Sequence, residues 1–260
     1  MKNATEQAKA LDDLMASLPE GTAPEFAEAR DPVAVLVLSF LMWEATTDQA
    51  LKAYAKLRER IVDFNDLRMN MAHETIDAIG PGYPLALERS RRMRAALRHV
   101  YNRQHELSLE AVEEMGRREA RKYIESLDGI VPYVSARLLL LSFGAHAVPA
   151  DDRLCNALAE AGVVEDDADG DAATLSAWLT RQIKSADGVE AHFKLQAYAD
   201  EHGGSTRKRT TKKTKRKKKT SSGGSRNAAR KKASGSGGNS RSTSKKSARK
   251  KPTSKKKTKA

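Results

Sequence analysis

The chain is 260 residues long and 31% charged, with a formal net charge of +13, but that charge is unevenly placed. Of its 47 Lys and Arg, 24 fall in residues 204–260, which hold none of the 34 acidic residues and no aromatic, so residues 1–203 carry 23 − 34 = −11 and the remainder +24. The lone Cys155 excludes disulfides within the chain and multi-cysteine metal sites, and the charged N-terminus without an apolar run excludes a secretory signal.

Apolar spacing predicts helices throughout and no run of alternating β-type residues. The first covers Thr5 to Leu18, with Leu11, Leu14, Met15 and Leu18 on one stripe, and residues 1–30 read as this helix plus a linker. Asp31-Pro32 is a helix start, with an N-cap acceptor followed by Pro at the first position. The stretch Val33 to Trp43 is apolar nearly all round, which marks a central core helix too short to span a bilayer. Thr46 or Thr47 opens the next helix, through about Ile61, and Asn70 is placed to cap a short one ending at Gly80.

Pro81-Gly82-Tyr83-Pro84 breaks the chain before a long helix with Leu87, Met93, Leu97 and Tyr101. Arg89, Arg91, Arg92 and Arg94 on that helix read as a solvated face. Ser108 is expected to cap one helix running to Leu127. Then come a tight segment, Asp128-Gly129-Ile130-Val131-Pro132, an apolar helix from Tyr133 to Ser142 stopped by Gly144, and a helix beginning at Asp151 or Asp152. Helices over Thr174 to Lys184 and Val189 to His202 close a domain of residues 31–203. The segment 204–260 has too little apolar content to offset chain entropy and reads as a disordered tail.

A helix, a glycine hairpin and a second helix expose backbone N–H groups suited to an anion, a signal that is weak alone. The residues around and after the hairpin sharpen it. Leu127-Asp128-Gly129-Ile130-Val131, then Phe143-Gly144, then Val148-Pro149-Ala150-Asp151 resembles the helix-hairpin-helix DNA glycosylases, the family of endonuclease III, without a gap. Glu44-Ala45-Thr46-Thr47-Asp48 is similar to that family's Gln-Ala-Thr-Asp segment, and the weaker likeness runs from Asp31 to His202. The resemblance implies an all-α, two-lobed fold and a catalytic carboxylate at Asp151, with Asp152 the competitor. A fixed negative charge there would stabilise the oxocarbenium character that develops when an N-glycosidic bond breaks. From residue types alone, either Asp can equally be a helix N-cap.

The same resemblance makes Gly129, Ile130, Val131, Tyr133 and Glu44 the candidate DNA contacts, with three departures from the family pattern. Tyr133 stands where bifunctional members place the lysine that forms an imine, and a phenol cannot form one, so no lyase step is expected. Val131 replaces the hairpin's second glycine, and a β-branched residue resists positive φ, which weakens phosphate binding. Glu44 replaces the glutamine that probes the vacated space in the duplex, adding a like charge near phosphate. The four cysteines of the family's iron–sulfur cluster are absent, so no cluster is expected.

Other features read blandly. Glu165-Asp166-Asp167-Ala168-Asp169-Gly170 begins like a calcium loop, but its twelfth position is Ser176. The six histidines lack metal-ligand spacing, and Trp43 and Trp178 sit at helical core positions. The tail, with Lys212, Lys213, Lys217, Lys218 and Lys219 at its densest point, resembles the tails of linker histones and is suited to gripping phosphates without reading sequence. The expectation is a base-excision-repair protein: a monofunctional DNA N-glycosylase without cofactor or metal. It is expected to be a monomer in the cytoplasm and nucleoid, away from membranes, with double-stranded DNA as partner and RNA as a second ligand of the tail. The alternative is a catalytically idle glycosylase fold that binds DNA.

Overall fold

A computed structural model of the protein describes residues 4–23, 25, 30–164 and 171–204, all within one unit, Met1–Thr210. The described residues form helices and no strand. α1 (Ala4–Ser17) is followed by α2 (Pro32–Met42), whose start is fixed by Asp31 accepting from the Val33 N–H at 2.8 Å and by Pro32 at the first position. All eleven residues of α2 are buried, as a helix apolar all round must be.

α3 (Thr47–Arg58) begins at a capping box, the Gln49 N–H donating to Thr46 Oγ1 and the Thr46 N–H to Gln49 Oε1. Asp63 caps a short helix that the spacing did not predict, α4 (Phe64–Met69), and α5 (Ala72–Ile79) starts after Met71 rather than Asn70, with Glu74 accepting the Met71 N–H. α6 (Ala86–Gln104) follows the Pro-Gly break and buries Arg89, Ser90, Met93, Ala96, Leu97 and Val100 along one stripe.

The helix expected from Ser108 to Leu127 is two. Ser108 Oγ accepts the Glu110 N–H, α7 (Glu110–Glu113) ends at once, and extended Gly116 redirects the chain into α8 (Arg117–Glu125). The hairpin leads to α9 (Pro132–Ser142), then α10 (Asp152–Glu160), α11 (Ala172–Gln182) and α12 (Gly188–His202).

Two hydrophobic cores result. One gathers Phe40, Leu41, Leu57, Leu97, Val100, Ile124, Leu138 and their neighbours from α2 to α9. The other gathers Leu11 of α1 with Leu154, Leu158, Trp178, Leu179 and Leu195 of α10 to α12, so both ends of the domain build one lobe and the middle builds the other. The turn after α2 and the start of α10 meet between these cores.

Candidate functional site

The site is built on the residues that join α2 to α3. α2 ends at Trp43, and Glu44 then takes the left-handed conformation, φ 56°. For a residue with a Cβ this costs about 1 kcal/mol, so the surroundings must hold it. They do so with carboxylates on one side and guanidinium groups on the other.

Asp151 is the N-cap of α10 and only 4% exposed. Its Oδ1 accepts the Leu154 N–H at 3.0 Å, and its Oδ2 accepts the Glu44 N–H, also at 3.0 Å. Glu44 returns the contact one residue on, its Oε1 accepting the Asp152 N–H at 2.8 Å. Glu44 is itself only 6% exposed, and its Oε2 is buried without a hydrogen-bond partner. The sequence places Asp151, Asp152 and Glu44 as three candidates, and the structure brings them together. The side chain of Asp152 is half-buried and takes no part in these bonds, so of the two aspartates Asp151 holds the enclosed position.

The backbone carbonyls of the turn are held by two arginines whose role the residue pattern did not reveal. Arg89, expected on a solvated face, is fully buried. Its guanidinium donates to the carbonyls of Phe40, Trp43 and Pro84, the last at 3.0 Å from Nη2 and 3.1 Å from Nε. Burial lowers its pKa to about 10, which leaves it charged at neutral pH. Arg153 donates to the Ala45 carbonyl at 2.6 Å, to the Ala199 carbonyl at 2.8 Å and to Asp200 Oδ1 at 3.2 Å. Asp200 Oδ2 in turn accepts the Thr47 N–H at 3.1 Å. The turn is thus held from α6, α10 and α12.

Electrostatically the pair of carboxyl groups is unequal. Burial first, then the nearby Asp151 carboxylate, pushes Glu44 up to about 8. Burial pushes Asp151 up as well, but the N–H bonds from Leu154 and Glu44 and the charge of Arg153 oppose it. Both oxygens of Asp151 accept from N–H groups, one in the first turn of α10 and one in the turn after α2, which suits an anion. Oε2 of Glu44 meets no donor, and burial beside Asp151 favours the neutral form of Glu44. Two carboxyl groups with divided protonation can perform opposite halves of an acid–base reaction.

The hairpin is packed onto α6. The Asp128 N–H donates to His99 Nδ1 at 2.9 Å and the Ile130 N–H to the Leu127 carbonyl at 3.2 Å. Gly129 has φ 76°, and a Cβ there would lie 2.7 Å from the Arg92 carbonyl oxygen. Val131, where the family pattern has a second glycine, is buried and extended at φ −118°, so this turn needs no positive φ at that position. Ile130 is half-buried against the larger core.

Tyr133 is 3% exposed, its hydroxyl donating to Gln196 Oε1 at 2.9 Å and its ionisation pushed well up by burial. Gln196 Nε2 donates to Asp200 Oδ1 at 3.1 Å, so Tyr133 is joined through α12 to the anchor of Arg153. A hollow of about 250 Å³ lies elsewhere, between Val112, Arg117 and Phe143, and includes none of these residues.

Among the described residues no group of three or more His, Cys, Asp or Glu is placed to hold a metal ion, and no helix is long and apolar enough to cross a membrane. His192 is buried, and His146 Nε2 lies 2.7 Å from the Thr180 carbonyl oxygen. Trp178 is buried, and Trp43 packs half-buried against the larger core. The calcium-like stretch 165–170 and the tail lysines Lys212, Lys213, Lys217, Lys218 and Lys219 lie outside the described residues.

No family model matches the sequence, and no curated protein does. Solved structures are similar in fold. A trapped endonuclease III–DNA covalent intermediate, an estranged-adenine complex, superposes with a TM-score of 0.56 at 16% identity, over 75% of this chain and 85% of that one. A thermostable thymine-DNA glycosylase gives 0.51 at 17% identity, over 76% and 86%. The 8-oxoguanine glycosylase/lyase of Clostridium acetobutylicum, in complex with duplex DNA containing cytosine opposite 8-oxoG, gives 0.50 at 18% identity, over 66% and 60%. The described residues of this chain therefore share the all-α fold of these DNA glycosylase structures.

Proposed function

We propose that the protein is a DNA N-glycosylase that hydrolyses the bond between a damaged base and its sugar and does not cleave the strand. The observation that carries this reading is the Asp151–Glu44 pair: a carboxylate at the start of α10 held by the N–H groups of Leu154 and Glu44, in this fold, next to a buried carboxyl group whose Oε2 has no partner. Such a carboxylate is fixed before reaction begins, which is what electrostatic stabilisation of a developing oxocarbenium requires. Tyr133 at the imine position supports hydrolysis alone, since neither a phenol nor any neighbouring lysine offers an amine. Gly129, Ile130 and Val131 form the phosphate-facing turn in this reading, and the +24 tail supplies affinity for DNA and equally for RNA.

A second reading is favoured by one specific observation. Asp151, Glu44 and Tyr133 are all buried and bonded to protein groups, as in a fold that binds DNA without turning it over. The experiment that separates the two is a screen of duplexes carrying single alkylated, deaminated or oxidised bases, treated afterwards with alkali to cut at abasic sites. Cleavage that requires alkali on one lesion supports the enzyme; binding without cleavage across the whole panel supports the idle fold.

A further inference from the structure

Glu44 Oε2 is buried and has no partner, although the backbone N–H groups of the turn, from Glu44 to Thr47, are all engaged. The charged and titratable groups that face Glu44 are Asp151, Asp152, Arg153 and Cys155 from α10 and Arg89 from α6. The two cations among them spend their N–H groups on the carbonyls of Phe40, Trp43, Pro84, Ala45 and Ala199 and on Asp200, none on Glu44. A charge on Glu44 would therefore stand beside Asp151 with no cation bonded to it. A protonated carboxyl is favoured, with its O–H on Oε2, since the carbonyl oxygen is the better acceptor and Oε1 accepts the Asp152 N–H. That O–H needs an acceptor, and the surrounding protein supplies none.

We propose that Glu44 is the general acid of this site and that its acceptor is the departing base. This rests on the glycosylase reading above. The bond from C1′ to the base nitrogen breaks, and its electron pair goes to the base. The proton of Glu44 Oε2 passes to that base, while Asp151 remains anionic opposite the positive charge at C1′. Water then bonds through oxygen to C1′ and returns a proton to Glu44, so one water is consumed and a neutral base and a C1′ hydroxyl are released. The carboxylate that looks out of place beside DNA is in this scheme a neutral donor when the substrate arrives.

The test uses the full-length protein and two variants of one substrate. Carboxyl-labelled glutamate NMR, with Glu44→Gln to identify the signal, should give wild-type Glu44 a titration midpoint near 8; a midpoint in the ordinary range near 4.5 overturns the inference. Single-turnover base release is then measured on the lesion duplex that wild type processes and on the same lesion with a halogen on the base, a better leaving group. Glu44→Gln should slow the parent lesion about 10²-fold or more and the halogenated one far less, because an acid matters least where the base departs readily. An equal loss on both shows that Glu44 does not protonate the base and overturns the inference while leaving the glycosylase reading intact. If wild type releases no base from any lesion, that reading fails, and this one fails with it.

Discussion

The backbone N–H of Glu44 donates to Asp151 across 107 residues of sequence, while the Glu44 carboxyl group accepts the N–H of the residue after Asp151. Each residue thereby fixes the other. Asp151 keeps Glu44 in a left-handed conformation that its side chain would not choose, and Glu44 supplies one of the two donors that keep Asp151 aimed. The clasp joins the turn after a core helix of one lobe to the first turn of a helix in the other.

This clasp gives stability a pH dependence that one variant should remove. Glu44 is held up to about 8 in the folded chain, against 4.5 ordinarily. Its contribution is fully present below about 4.5 and is lost as pH rises toward 8, since in that window the unfolded chain releases the proton and the folded chain keeps it. One proton accounts for at most about 1.4 kcal/mol per pH unit. Urea melts of Glu44→Gln should therefore gain on wild type steadily from pH 5 to pH 8; a constant difference across that range contradicts the assignment.

Gly129→Ala should destabilise the domain by about 1–3 kcal/mol, as φ is 76° and the added Cβ would sit 2.7 Å from the Arg92 carbonyl oxygen, a backbone atom with little room to yield. Gly116→Ala has open space and no positive φ, and it should cost much less. Thermal denaturation of the two variants side by side checks this, and equal melting temperatures would show that the hairpin is not packed on α6 as described.

Much of the helical pattern could be read from residue spacing. The eleven residues of α2 and the cap at Asp31 announce themselves, while spacing narrows the next caps only to Thr46 or Thr47 and to Asp151 or Asp152, of which the structure uses Thr46 and Asp151. Gly116 was readable but overridden, since apolar spacing continues from Val112 through Ala120 to Ile124 on both sides of it. Arg89 left a fainter signal: it lies four residues before Met93 and eight before Leu97, on the buried stripe, where its charge argued for the surface. What redirects it inward is the set of free carbonyls at the end of α2, forty-odd residues away, and a tertiary demand of that kind has no local mark. The left-handed Glu44 is likewise invisible, as neither glycine nor asparagine marks the position.

Borohydride trapping on abasic DNA should give no cross-link within residues 127–158. In the glycosylase reading Tyr133 stands at the imine position; no lysine lies in that stretch, and the phenol is buried on Gln196. The experiment belongs on a chain ending at Gly204, because tail amines can trap abasic DNA slowly. A cross-link mapped by mass spectrometry to 127–158 would contradict the assignment of this position.

Removing residues 205–260 should weaken binding to random duplex strongly at low salt and flatten the slope of log K against log salt. Each phosphate neutralised contributes about 0.9 to that slope, and the remaining domain, at −11, is repelled by DNA. Fluorescence anisotropy across a salt series measures both. An unchanged slope would mean that the domain, not the tail, makes the phosphate contacts.

The most direct test of the account is base release by Asp151→Asn beside Asp152→Asn on a lesion that wild type processes. Asparagine keeps the N-cap acceptor toward the Leu154 N–H but sets its amide NH2 against the Glu44 N–H, so thermal melting and DNA binding are measured beside the rate while the negative charge that this reading sets opposite C1′ disappears. The account predicts a loss of about 10²-fold or more for Asp151→Asn and little for Asp152→Asn, whose half-buried carboxylate lies outside the clasp. Wild-type rates in Asp151→Asn, or a larger loss in Asp152→Asn, would contradict it.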